Sequence, residues 1–421
     1  ITDANSDEER TYRVTTTLAA PADYTGMTGE EGTIKNEWKV GDEICVGYSL
    51  ANFKTRNTVG VVKSVDAHGK ATVTFDLKNP GSGMIMFTYP YDHWANDGHI
   101  NNGQDGTVAT IQKIYNVMMG GMMPLTVKDN KVSGIPGEVE MVLSNGIRKL
   151  KFIDGNGQDV TARIQRLHIR VYSKENDTKY TDYVITPSSL TEIYAAVYNF
   201  TYHHVEYTAC TEDPSLIYEG TETDVTLQAG KLGSSTVRLQ GRDVIMARDV
   251  TTDDIGKVIA ANGRVYDSID MGNKLGITDC VAMVGYVGQD TENAQHNHGM
   301  AIALKEDGWS LYKDAESLVS SKRQPVADAE WMCPSWQQVK NIISANNGGE
   351  SHRFTYLNEK LTSDKVGGEP IREFCEYWLR YTQDYVYTIV HTSDITVAPF
   401  ASATEHSASG DYRLVRAVLT F

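Results

Sequence analysis

Cysteine is scarce in this chain, with five residues among 421. Cys45, Cys210, Cys280, Cys333 and Cys375 stand far apart and form no CxxC pair. Neither a zinc knuckle nor a thioredoxin-type centre therefore has its ligand spacing. The count is odd and a chain of this size needs no disulfide frame, so free and mostly buried thiols are expected. A single bridge among Cys280, Cys333 and Cys375 is the alternative. No stretch approaches the ~20 uninterrupted apolar residues that a membrane helix requires. Positive charge is in deficit, with 39 Lys+Arg against 55 Asp+Glu and a formal net charge of −16. Such a surface repels phosphate backbones and anionic lipid, which argues against nucleic acid as a partner. Neither GxSxG, HExxH, GxxxxGK[ST] nor GxGxxG occurs, so the common hydrolase, zincin, P-loop and dinucleotide signatures are missing. No repeat of 20–50 residues and no low-complexity segment is visible.

What is present points to β structure. Hydrophobic residues make up 40% and charged residues 22%, with a mean hydropathy of −0.37, a foldable composition with length for two or three domains. The 23 Tyr outnumber 9 Phe and 6 Trp combined, and Tyr, Thr and Val suit pleated surfaces. Residues 1–150 read as a first β-sandwich. Thr11–Ala19 alternates, Trp38–Ile44 reads as strand, tight turn and strand, and Val59–Val62, Ala71–Leu77 and Gly83–Tyr89 follow, with Asn79-Pro80-Gly81 as a turn. Residues 151–245 read as a second, smaller sandwich, with strands over Arg163–Tyr172, Tyr194–Tyr207, Thr223–Leu227 and Thr236–Leu239. Gln228-Ala229-Gly230-Lys231 reads as a hairpin connection.

Residues 246–421 change character to α+β. Thr251–Ala261 and Ser335–Ala345 carry helical spacing, the second with a Ser335/Gln338 capping box. Tyr412–Phe421 reads as one closing strand. Several constellations bear on chemistry. His296 and His298, and His204 with Glu206, each place two candidate metal ligands on one strand face, but no third ligand is apparent and a structural role is the simpler reading. The loop Asp92-His93-Trp94 with Asp97 and His99 has no nucleophile beside it. Asp3–Glu9 and Glu219–Asp224 read as solvated acidic surface rather than calcium loops. The aromatics of the third part are the stronger set. Trp309, Trp336, Trp378, Tyr381 and Tyr385 offer flat amphipathic faces that stack on sugar rings, or alternatively fill an irregular core. No metal and no cofactor is expected, and no catalytic residue is assigned.

Certain segments carry a family likeness. Trp38-Lys39-Val40-Gly41-Asp42, Gly103-Gln104-Asp105-Gly106-Thr107, Met122-Met123-Pro124-Leu125, Val139–Lys149 and Leu227-Gln228-Ala229-Gly230-Lys231 resemble, in order and spacing, the fimbrillins of the Bacteroidales. The third part resembles modules akin to C-type lectins and the formylglycine-generating enzyme. The likeness rests on Asp253–Ile259, Gly263, Tyr266, Val281–Gly288, His298–Lys305, Trp331–Ser335 and Leu414–Val418. It departs from both parent activities, since no Glu-Pro-Asn triplet occurs in 246–421 and Cys375 has no close partner cysteine.

The resemblance implies a mainly β chain, with two tandem transthyretin-like β-sandwiches followed by a C-terminal α+β lectin-like domain. It further implies an exported precursor, lipidated and carried to the outer membrane and cell surface, whose targeting segment is absent from this chain. The opening Ile1 and the polar run to Arg10 fit a trimmed precursor. Fimbrillins mature by proteolysis after an arginine, and a strand from another subunit fills the emptied groove. Arg10 and Arg13 are the implied cleavage positions, and other fimbrial subunits the implied partners. The extra domain resembles the layout of tip or accessory adhesins, with a glycan or host-surface ligand. The runner-up is a surface carbohydrate-binding lipoprotein that never polymerises. An enzyme housed in 246–421 is the third reading.

Overall fold

The computed structural model describes residues 9–27, 32–92, 100–173, 176–198, 200–348, 354–373, 375–380, 385–390, 396–402 and 412–421. Alternation of apolar with polar residues builds most of it. In Ala71–Lys78 (ATVTFDLK), Ala71, Val73, Phe75 and Leu77 are buried while the threonines between them face out. The chain divides into two compact units, Ile1–Arg242 and Asp243–Phe421. The mainly β class read from the sequence is the one observed.

In the first unit the strands are β1 (Thr11–Leu18), β2 (Tyr24–Gly26), β3 (Thr33–Ile34), β4 (Glu43–Leu50), β5 (Thr55–Val65), β6 (Ala71–Lys78), β7 (Pro80–Tyr89), β8 (Met118–Lys128), β9 (Lys131–Ser133), β10 (Glu138–Val139), β11 (Met141–Leu143), β12 (Asn145–Ile153), β13 (Arg166–Ser173), β14 (Asn176–Ile185), β15 (Ile193–Tyr198), β16 (Phe200–Cys210), β17 (Leu216–Thr223), β18 (Thr226–Leu227), β19 (Lys231–Arg238) and β20 (Gln240–Asp243). One sheet has the order β10-β1-β6-β5-β4-β7-β8-β11, with β9 beside β8. A second runs β15-β12-β19-β2-β3, and a third β14-β13-β16-β17-β20 with β18 beside β16. The second sheet joins distant parts of the chain, because β19 pairs in parallel with both β12 and β2. One hydrophobic cluster accordingly runs from Leu18 to Leu239. The boundary read at about 150 falls inside β12, and that at about 245 lies beside the division after Arg242.

The second unit holds β21 (Val258–Ala260), β22 (Val265–Tyr266), α1 (Ile269–Lys274), β23 (Cys280–Val287), β24 (Gly299–Ala303), β25 (Gly308–Ser310), α2 (Tyr312–Lys322), β26 (Glu330–Met332), α3 (Trp336–Ile343), α4 (Phe354–Leu361), β27 (Glu376–Leu379), β28 (Tyr385–Val390), β29 (Thr396–Ser402), β30 (Arg413–Val415) and β31 (Val418–Thr420). Its sheets have the orders β22-β21-β23-β24-β31-β26 and β25-β30-β27-β28-β29. Among the described residues its apolar clusters include one around Ile259, Val284, Ala301 and Leu419 and another around Val319, Cys333, Trp378 and Val415.

Three local expectations need correction. The helix expected over Thr251–Ala261 is a single turn, Thr252–Asp254, with a capping box between Thr251 and Asp254. Gly256, at φ +97, ends it, and Val258 and Ile259 enter β21 instead. Gln228–Lys231 does form a tight turn, its Lys231 amide donating to the Gln228 carbonyl at 3.1 Å, but not a hairpin. Its flanking strands pair with β16 on one side and with β12 and β2 on the other, so the chain changes sheets there. The closing segment is two strands in different sheets, β30 and β31, with Arg416 and Ala417 between them. All five cysteines are free, and Cys45 and Cys333 are buried.

Candidate assembly and binding sites

Strand β1 is held unequally on its two sides. Along one side it pairs with β6 over its whole length, from Thr11 opposite Lys78 to Leu18 opposite Ala71. Along the other, only Thr17 and Leu18 meet a strand, β10, in parallel. Thr17 donates its amide to Gly137 and Ala19 to Val139, at 3.2 and 2.8 Å, so the odd-numbered residues aim their backbone groups outward. Among the described residues, no strand meets the outward backbone of Arg13 and Thr15. The inward face carries Tyr12, Val14, Thr16 and Leu18, with Leu18 wholly buried in the core. Just beyond the strand, the Trp38 indole N–H donates to the Ala19 carbonyl at 2.8 Å. The Trp38–Asp42 motif thus clamps the end of β1, and its turn is closed by Asp42, which accepts the Lys39 amide at 2.8 Å.

The two arginines named for maturation lie just before β1 and within it. Arg10 precedes β1, and its backbone is tied to Asn79 by bonds of 2.7 and 2.8 Å. Arg13 sits third in β1, bidentate to Asp76 at 2.9 and 3.1 Å. Cleavage after Arg10 leaves the whole strand attached to the body, and cleavage after Arg13 leaves Val14–Leu18. The next basic residue is Lys35, beyond β1, β2 and β3.

The second unit separates its tryptophans. Trp378 is a core residue at 1% exposure, which corrects its reading as a ligand-stacking face. Its indole N–H donates to the Ser310 carbonyl at 2.7 Å, and Tyr312 meets its ring edge-on at 5.5 Å. It also borders a cavity of about 30 Å³ lined mainly by Ile302, Val339, Ile342, Leu357 and Tyr377, room for roughly one water and no ligand. Trp336 opens α3, half-buried, with the Lys340 ammonium 5.9 Å from its ring. Trp309 is 55% exposed on β25. Tyr381 and the Tyr385 side chain lie outside the described residues. The chain does bring these segments together. Ser310, next to Trp309, holds the Trp378 indole, and Ser335, next to Trp336, bridges to Arg380 two residues beyond Trp378.

Buried charges fix this region. Arg416 spends its guanidinium on backbone carbonyls, those of Ala303 (2.8 Å), Leu304 (3.1 Å), Glu369 (2.8 Å) and Pro370 (3.4 Å). Burial pushes its pKa below the usual arginine value. Arg323 grips Asp307 at 2.8 and 3.2 Å, and Asp307 also accepts the Ala417 amide at 3.0 Å. Tyr377 donates to Glu306 at 2.5 Å, and burial with that carboxylate beside it raises the phenol pKa. Burial also pushes the Cys280 thiol up to about 11, with Asp279 adding to it.

Elsewhere, His298 bonds the Val250 carbonyl at 2.8 Å, and His204 stacks on Tyr172 at 4.1 Å, with Glu206 at 3.7 Å. Among the described residues no three candidate ligands form a metal group. His93–His99 and most of Asp3–Glu9 lie outside the described residues. Glu222 is not simple acidic surface. It faces inward, 2.8 Å from the buried Arg148 guanidinium and 2.5 Å from the Tyr207 hydroxyl. The Gly103–Thr107 motif is structural as well. Buried Gln104 bonds the Ile100 carbonyl and both backbone groups of Ala196, each at 2.8 Å.

No family model and no curated protein matches the chain. Among solved structures, a fimbrial protein from Bacteroides ovatus is similar at 13% identity over 97% of this chain and 100% of its own, with a TM-score of 0.28. A proposed cell adhesion protein from Bacteroides uniformis is 15% identical over 55% of this chain and 96% of its own, at a TM-score of 0.30. The shaft pilin SpaA of Lactobacillus rhamnosus is 10% identical over 56% and 100%, at 0.24. These scores are too low to transfer a role. No helix among the described residues is long and apolar enough to cross a membrane.

Sequence reasoning missed Tyr412, 57% exposed just before β30, because it reads as the first residue of an apolar strand. It also missed Arg148 and Arg416, since nothing local marks an arginine for burial.

Proposed function

We propose that the chain is an exported cell-surface fimbrial subunit, at the tip or in an accessory position, that joins its neighbour by β-strand addition and works by binding rather than catalysis. The observation that carries this is β1, paired along its whole length on one side and at only two residues on the other. Backbone groups left open along an edge are what a partner strand uses, and a strand anchored mainly on one side is the kind that exchanges. The sequence likeness to fimbrillins supports the reading. In this reading the first unit supplies two tandem sandwiches and the lectin-like second unit supplies the binding.

The test is strand uptake. A chain beginning at Ala20 is mixed with a fluorescent peptide of sequence Thr11–Leu18 and followed by anisotropy and thermal unfolding. The peptide should bind the shortened chain, raise its melting temperature and fail to enter the intact chain. A shortened chain as stable as the intact one, with no uptake, would refute strand addition. Gold labelling of producing cells then separates filament ends from shafts. Label scattered over the surface without filaments favours the carbohydrate-binding lipoprotein.

A further inference from the structure

Four tryptophans engage the protein. The Trp38, Trp331 and Trp378 indole N–H groups donate to backbone carbonyls at 2.8, 3.1 and 2.7 Å. Trp331 is also capped by Arg323 at 4.9 Å, and Trp336 is faced by Lys340. Trp309 differs. It is half exposed, and among the described residues its indole has no hydrogen-bonding or ring partner.

Its position in the sheet gives it a neighbour. Trp309 lies directly opposite Leu414 across the antiparallel pair β25/β30. Tyr412, two residues before Leu414 and just outside β30, is likewise about half exposed, and the alternation of β30 extended by one residue assigns it to the same face. Diagonal partners of this kind stand roughly 7–8 Å apart, within reach of aromatic side chains. Since β25 ends its sheet, no described strand lies on its outer side. A single exposed aromatic is ordinary surface, but two on one diagonal make a platform.

The strand that carries Trp309 is firmly held. The Asp307 amide donates to the Val415 carbonyl at 2.9 Å, its carboxylate is held by Arg323, and the Ser310 carbonyl holds Trp378. Ligand binding there orders little that is not already fixed. We propose that Trp309 and Tyr412 form a stacking site for the apolar faces of one or two neutral hexopyranose rings, with the indole N–H and phenol O–H reaching ring hydroxyls. The inference rests on the reading of the second unit as the binding end. Size decides between ligand classes. Two half-exposed aromatic side chains offer about 200 Å², far short of the ~1,200 Å² of a stable protein interface but enough for a sugar ring or two. The net charge of −16 disfavours nucleic-acid bases and anionic glycans.

The full chain should be titrated by calorimetry and tryptophan fluorescence with cellopentaose, mannopentaose and chitotriose. Binding of at least one probe is expected, with Trp309 emission shifted to the blue. Trp309→Ala and Tyr412→Ala should each weaken it by about ten-fold or more, equivalent to ~1.4 kcal/mol, while Trp309→Phe retains most of it. Both positions are exposed, so thermal unfolding should be unchanged, and Trp331→Phe should bind as the unaltered chain does. Sugar binding that survives both alanine variants overturns the platform but leaves an adhesin. Failure of all three probes at millimolar concentration also overturns it, and strand uptake then reports on the fimbrial reading by itself.

Discussion

The same residue type serves opposite ends in this molecule, and hydrogen-bonding partners decide which. Asp182 illustrates how much a partner can impose. Burial alone would raise its carboxyl, but hydrogen bonds and charge from His168 (3.3 Å) and Arg170 (2.7 and 2.9 Å) outweigh it and hold the group well below the usual carboxylate range. A folded pKa below the unfolded value of about 3.9 means that the contribution is complete above that value. It drains as pH falls from about 5 towards 2. Asp182→Asn should therefore flatten the acid limb of a urea-midpoint profile. At pH 7 it should cost about 1–2 kcal/mol, modest because the side chain is 36% exposed. An acid limb identical in both proteins would show that Asp182 does not govern it. Glu206 and the stacked pair Tyr172/His204 share this face, so Glu206→Gln serves as the control.

At the scale of elements, a helix or strand was legible where local chemistry and tertiary context agree. The α3 start is one such place. Ser335 accepts the Gln338 amide at 3.1 Å and donates its own amide to the Gln338 side chain at 2.8 Å, the capping box read from Ser335 and Gln338. Both residues are buried, and Gln338 also donates to the Thr291 carbonyl at 2.7 Å, tying the loop before β24 to the helix. Ser335→Ala should cost about 1–2 kcal/mol in denaturant unfolding, and Ser335→Thr much less. Equal losses would mean that packing, not the cap, sets the helix start. Where context overrides, the sequence misleads. Thr251 and Asp254 carry the same signal, yet Gly256 and the β-branched pair Val258-Ile259 leave one turn before a strand. Tyr412–Phe421 alternates like one strand, but it forms two in different sheets, with Arg416 and Ala417 between them. The binding residues follow the same rule. Trp309 and Trp378 look alike in sequence, and only the pairing of β25, β27 and β30 puts one outside and the other in the core. Tyr412 gains its meaning solely from a strand more than a hundred residues earlier.

For the whole molecule, the distribution of cores predicts how it comes apart. Residues from Leu18 to Leu239 share one cluster, stitched by β19 between β12 and β2, so the two stretches on either side of residue 150 should melt together. The clusters built on Ile259 and Trp378 contain none of those residues. Calorimetry of the intact chain should therefore resolve two transitions, divided as Ile1–Arg242 and Asp243–Phe421. Truncation identifies them. Phe152 and Trp378 are both fully buried, and removing such a ring costs about 3–5 kcal/mol. For units of this size that corresponds to a fall on the order of 10 °C. Phe152→Ala should lower one transition and leave the other in place, and Trp378→Ala should do the reverse. A third transition that responds to Phe152→Ala while β1 to β7 melt separately would instead make residue 150 a true domain boundary. Movement of both transitions in either variant would mean that the units stabilise one another. The two-transition outcome has a functional consequence. A first unit that unfolds on its own can lose and regain β1 during assembly while the second keeps Trp309 and Tyr412 in register.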